Sequence, residues 1–153
     1  MFIYATTLIM IITADTNVIF SALYSIKGAS HYILRLILEE KIKLAISPQV
    51  YFEYYDVLTR KENLEKLGMS ACEIEDILDL LALLAQKHSI YFLLRPNLTD
   101  ENDNMICECA FASSSKYLIT SNIRDFKGGE LKGFGFRLIT PRDFCIMWRA
   151  ENE

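Results

Sequence analysis

Five short apolar runs, each closed by a polar residue or proline, constrain this chain most. They are IMIITA before Asp15, KLAIS before Pro48, SIYFLL before Arg95, KYLIT before Ser121 and RLIT before Pro141. They show little of the apolar-polar alternation of a half-exposed strand, and so fit strands covered on both faces of a parallel sheet. Amphipathic stretches separate them. Strands alternating with helices predict an α/β sandwich of three layers, α/β/α, around a mainly parallel five-stranded sheet with right-handed crossovers.

Local signals place the helices between these runs. Ser30 is expected to cap HYILRLILEE, where Ile33, Leu34, Ile37 and Leu38 recur at helical spacing. Ser47 followed by Pro48 combines a cap with a proline at the first helical position, and Thr140 with Pro141 repeats the device. Gly68 ends a short helix, and Ser70 with Glu73 forms a capping box before IEDILDLLALLAQK. KGGELKGFGF holds four of the six glycines and reads as a turning or mobile loop.

At 153 residues the chain fits one domain, placed at 10–150, and its hydrophobic content of 52% with 24% charged residues excludes a disordered chain. MFIYATTLIMII is too short to span a bilayer, so residues 1–9 are read as a strand extension or as the product of an alternative start. The four cysteines form no CxxC pair and the two histidines lie far apart, which argues against zinc. Cys107 and Cys109 are expected to be buried on a helix. Reduced thiols and no secretion signal point to the cytoplasm.

The chemistry-bearing residues stand where runs hand over to turns or helices. Ligands of open parallel sheets bind beyond the carboxyl ends of the strands, so Asp15, Glu53, Asp103 and Asp125 are candidates for one acidic pocket. Each also has a plain structural alternative. Asp15 could cap a helix, Glu53 could lie on a solvated stripe with Gln49, Asp56 and Arg60, and Asp125 could be a turn residue. Asp103 could cap its helix, and there the positive end of the helix favours an ionised carboxylate. The formal net charge of −4 opposes polyanion binding unless bound cations or local bases such as Arg95, Lys116, Arg124 and Lys127 offset it.

DTNV after the first strand, a glutamate in the helix after the second, DNMICECA opening a later helix and TSNIRDF after the next strand resemble PIN-domain nucleases over residues 10–144. The resemblance is to the branch of toxin components of bacterial toxin–antitoxin systems. It implies a PIN-like fold and a metal-dependent endoribonuclease that cleaves RNA with Mg²⁺ or Mn²⁺. Asp15 and Asp103 would be the main metal ligands, Glu53 and Asp125 would complete the catalytic set, and Asn17, Ser121, Asn122 and Arg124 would orient substrate. Asp100 is a rival ligand to Asp103. A protein antitoxin is the implied partner, and the apolar excess in Tyr51–Tyr55 and Ile74–Leu84 would serve it or a homodimer. The alternative is a non-catalytic PIN-like protein-binding module.

Overall fold

The computed structural model describes residues 9–87, 101–126 and 135–153. Strands β1 (Ile11–Ala14), β2 (Lys43–Ile46), β4 (Tyr117–Ile119) and β5 (Arg137–Ile139) are joined by β3, a two-residue edge strand at Gln86–Lys87. The order is β3-β2-β1-β4-β5 and every neighbouring pair is parallel. The expected five full strands are therefore corrected to four of three or four residues plus a short edge pairing. SIYFLL, from which a full third strand was expected, lies outside the described residues, as do Arg95, Asp100, Lys127 and most of KGGELKGFGF.

β1 is the centre of the sheet, and its neighbours come from opposite ends of the chain. After β1 the chain builds outward through β2 to β3, then returns to add β4 on the other side of β1. The order reverses between β1 and β4, and that reversal opens a crevice at their carboxyl ends. Ile12, Leu44, Leu118 and Ile119 are fully buried, as continuous apolar runs require.

Among the described residues seven α-helices accompany these strands: α1 (Thr16–Tyr24), α2 (Ala29–Leu38), α3 (Pro48–Leu58), α4 (Lys61–Leu67), α5 (Ala71–Leu84), α6 (Glu101–Ala112) and α7 (Pro141–Asn152). Ser47 accepts from the Val50 amide at 3.1 Å, Ser70 and Glu73 close a reciprocal box, and Thr140 accepts from Asp143. Gly68 ends α4 at φ 65°, a left-handed conformation that costs glycine little. One cap differs from expectation. Gly28 precedes α2 without a side-chain bond, and Ser30 is buried one residue inside the helix, where it packs rather than caps.

Cys107, Cys109 and Cys145 are buried and Cys72 is exposed, all as free thiols. Burial raises the Cys109 thiol to about 11, against hydrogen bonds involving Ser47 and Thr13 that lower it. No helix among the described residues is long and apolar enough to cross a membrane. Because Ser47 is fully buried and its side chain accepts at the start of α3, Ser47→Ala is expected to cost about 1 kcal/mol. Calorimetry should show this as a fall of roughly 2–4 °C in Tm.

Candidate active site

Asp15 stands where β1 ends and α1 begins, at the mouth of the crevice between β1 and β4. Its amide donates to the Ile119 carbonyl at 2.9 Å, which continues the sheet pairing one residue beyond the strand. Its side chain caps α1, accepting from the Thr16 amide at 2.8 Å through Oδ1. Oδ2 accepts from Thr120 Oγ1 at 2.8 Å and from Asn17 Nδ2 at 3.1 Å. Capping and site-building are thus done by one carboxylate.

One strut crosses the crevice from this point and a second braces the loop after β4. Asn17 Oδ1 accepts from the Ser121 amide at 3.1 Å, and Thr120 Oγ1 accepts from the Asn122 amide at 3.0 Å. The loop after β4 is therefore tied to the start of α1 by side chains that also fix Asp15. Below, Tyr54 of α3 is fully buried and donates its hydroxyl to the Ala14 carbonyl, the residue just before Asp15.

Asp15 is only 8% exposed. Burial raises its pKa above the ordinary 3.8, against the hydrogen bonds from Thr120, Thr16 and Asn17 that lower it, and the charge of Asp125 raises it further. A carboxylate raised by burial and by a second anion is a site where a cation would be stabilising. Asp103, half-buried in the first turn of α6, belongs to the same neighbourhood. After burial, Asp103 and then Asp15 are the largest causes lifting the Cys107 thiol.

The remaining candidates are less enclosed. Asp125 and Arg124 are exposed on a short 3-10 helix, Ile123–Phe126, with exposed Ser121 and Asn122 just before it. Glu53 is half-buried in α3 beside Tyr54, while Asp56 and Arg60 of its stripe pair at 3.1 Å in solvent. The aromatic run around Glu53 is mixed, since Phe52 is 67% exposed. Among the described residues no three His, Cys, Asp or Glu side chains form a group able to hold a metal ion.

That donor set does not make an all-protein cage, but it fits Mg²⁺ or Mn²⁺. Mg²⁺ retains several waters and uses one or two carboxylates directly, so a donor set with Asp15 as its buried carboxylate is chemically compatible with such an ion. The ligand atoms are hard oxygens, as these ions prefer.

Thr120 was not singled out in the sequence, yet it holds Asp15. Its hydroxyl stands at the carboxyl end of KYLIT, but its part follows only from β4 lying beside β1. Glu108 and Asn104 of α6, at 2% and 5% exposure, are further buried polar residues that periodicity did not flag.

A family model described as PIN domain matches residues 12–124. The chain belongs to the PIN-domain family. The match runs from β1 to the 3-10 turn and so contains Asp15, Asn17, Glu53, Asp103 and Thr120. Among solved structures the PIN domain here is similar to a chain in the crystal structure of VapBC2 from Rickettsia felis bound to a DNA fragment from their promoter. The TM-score is 0.58 at 20% identity, with 86% of this chain and 98% of that chain covered. At that identity the likeness concerns the fold. No curated protein sequence matches the chain.

Proposed function

We propose that this PIN domain is a metal-dependent endoribonuclease acting at the β1–β4 crevice, the toxin of a toxin–antitoxin pair. The observation carrying the reading is Asp15, a buried carboxylate held by three donors at the point where strand order reverses, with the charge of Asp125 acting on it and that of Asp103 acting with it on Cys107. Membership of the PIN family and the fold likeness to a VapBC2 chain support it.

Asp15 and Asp103 would hold Mg²⁺ or Mn²⁺, and Glu53 and Asp125 would add negative potential around it. When bound, such an ion supplies Lewis-acid stabilisation of phosphate charge and an acidic water as nucleophile. The protein's part is orientation. Thr120, Asn17 and the Thr16 amide hold the Asp15 carboxylate in one rotamer before substrate arrives, so little reorganisation is needed at the moment of reaction. Ser121, Asn122 and Arg124, exposed at the rim, would donate to a phosphate.

The antitoxin, or a second copy of the chain, would cover the apolar side chains that α3 and α5 leave in solvent. Phe52 is 67%, Leu80 45% and Leu83 73% exposed. Light scattering on the purified protein, with and without the product of a neighbouring gene, separates these two partners from a monomer.

The deciding test is hydrolysis of RNA by the purified chain with Mg²⁺, with Mn²⁺ and with EDTA. Cleavage that depends on either ion is expected. A chain that is folded and binds partners but leaves RNA intact under all three conditions would be the non-catalytic module.

A second test bears on the strut. Thr120→Val keeps shape but removes the hydroxyl that lowers the Asp15 pKa, so the carboxyl should hold its proton to higher pH. The acidic limb of the cleavage profile is expected to move to higher pH. An unmoved limb would mean that Asp15 ionisation does not control the rate.

A further inference from the structure

A chain of net charge −4 carries a concentration of cations in one place. A cavity of about 420 Å³ between α2 and α7 is lined by Lys27, His31, Arg35, Arg142 and Arg149, with no acidic residue in its wall. Arg35 meets Glu39 at 3.8 Å, whereas Lys27, Arg142 and Arg149 form no ion pair among the described residues. Arg149 lies over the Tyr32 ring at 4.5 Å, which holds its guanidinium in the cavity wall. His31 donates Nδ1–H to the Ala22 carbonyl at 2.9 Å, leaving Nε2 as the ring atom for a ligand.

A second cavity of about 440 Å³ adjoins this basic one. The two share Gly28, Ala29 and Arg142, and the second is also lined by Tyr24, Ser25, Thr140 and Ser121. Ser121 is the residue that Asn17 ties to Asp15. The two adjoining cavities form a trough whose lining runs from Ser121, beside the acidic centre, through hydroxyl groups and an aromatic ring to a cluster of cations. Tyr24 is 62% exposed and is backed by Phe20 at 5.9 Å between ring centroids, a braced platform rather than a loose side chain.

We propose that this trough is the track of a single RNA strand, its phosphates held by Lys27, Arg142 and Arg149 and a base stacked on Tyr24. The proposal rests on the ribonuclease reading above and deepens it by assigning substrate contacts distant from the acidic centre. Alternation of aromatic and cationic groups is what a single strand requires, since phosphates take charge and bases take a flat apolar face. An acidic peptide would use the cations but not the platform. The arrangement also answers the charge objection, because repulsion from the chain as a whole is overcome where cations line the path.

The test uses the full chain in EDTA, which under the metal-dependent reading prevents cleavage, and a short fluorescent oligouridylate, with affinity read by anisotropy over a range of salt concentrations. Lys27→Ala/Arg142→Ala removes two exposed cations and is expected to weaken binding at least about tenfold at low salt. It should also flatten the plot of log affinity against log salt by about 1.4, from two lost single-strand phosphate contacts. Lys61→Ala/Lys66→Ala on α4 changes net charge equally and should leave the slope as it is. Tyr24→Ala should lose about tenfold with no change of slope.

The track is overturned if the Lys27/Arg142 pair behaves as its α4 control, or if the wild-type chain does not bind the oligonucleotide. It is overturned too if the pair weakens a labelled poly-glutamate and spares RNA, which would assign the trough to an acidic protein segment. Cleavage of ordinary RNA is measured on the same preparations. Flattened slopes without any cleavage would sink the nuclease reading and keep the track, whereas ion-dependent cleavage with unchanged slopes would do the reverse.

Discussion

Asp15→Asn is expected to lower RNA cleavage on the order of 10³-fold while raising the Tm measured without divalent ion. The two effects have one origin. Asp15 is buried, and its burial costs more than its three hydrogen bonds return, so its pKa is raised. A carboxyl whose folded pKa lies above its unfolded value stabilises the fold when protonated. That contribution is full below the unfolded value near 3.8 and is lost as pH rises through the folded value. At neutral pH the wild type carries the whole penalty and the asparagine does not, while Asn still serves as a helix cap.

The gap in Tm should accordingly be small at pH values below about 3.8, widen above it and then level off. Mg²⁺ or Mn²⁺ should raise the wild-type Tm and leave the variant unmoved, because stabilisation by a ligand needs a site in the folded state. Calorimetry across pH, with and without ion, measures all of this on protein that need not be active. A variant that melts lower than wild type at neutral pH without ion would show that Asp15 is principally a structural cap.

Tyr54→Ala is expected to be the most destabilising single substitution at the site, at about 3–5 kcal/mol. Tyr54 is fully buried, its ring fills the space under the β1–α1 turn, and its hydroxyl supports the Ala14 carbonyl. Burial lifts the phenol well above its ordinary 10, so it remains a neutral donor throughout the working pH range. Tyr54→Phe separates the two roles. It keeps the ring and should cost only about 1 kcal/mol, the net value of an ordinary hydrogen bond. Urea denaturation of both variants gives the comparison, and equal losses would place the whole effect in the hydroxyl.

Much of the architecture was legible in the sequence because its signals are local. Ser47 with Pro48, Ser70 with Glu73, Thr140 with Pro141 and Gly68 act within a single turn, and each helix boundary they mark is present. Gly28 was missed because Ser30 has the better capping chemistry. Tertiary packing decided instead, drawing Ser30 into the interior. The pairing of Gln86 and Lys87 with β2 went unread because neither residue is apolar, and the expected strand SIYFLL begins just beyond it, outside the described residues.

The site was legible at its anchor and less so around it. Asp15 announces itself by ending the first apolar run. Thr120 does not, since its part depends on β4 lying beside β1, a neighbour relation that no local pattern encodes. Whether a half-buried glutamate such as Glu53 faces a crevice is likewise fixed by how α3 packs, which its own residues leave open.

The bond from Thr120 to Asp15 joins residues 105 positions apart. Loops of that size close late and cost entropy that only the assembled sheet repays. The acidic centre therefore cannot precede the fold in time. A chain still emerging during synthesis, with β1 and α1 exposed but β4 not yet made, lacks the partner that orients Asp15, so any cutting activity belongs only to the finished molecule.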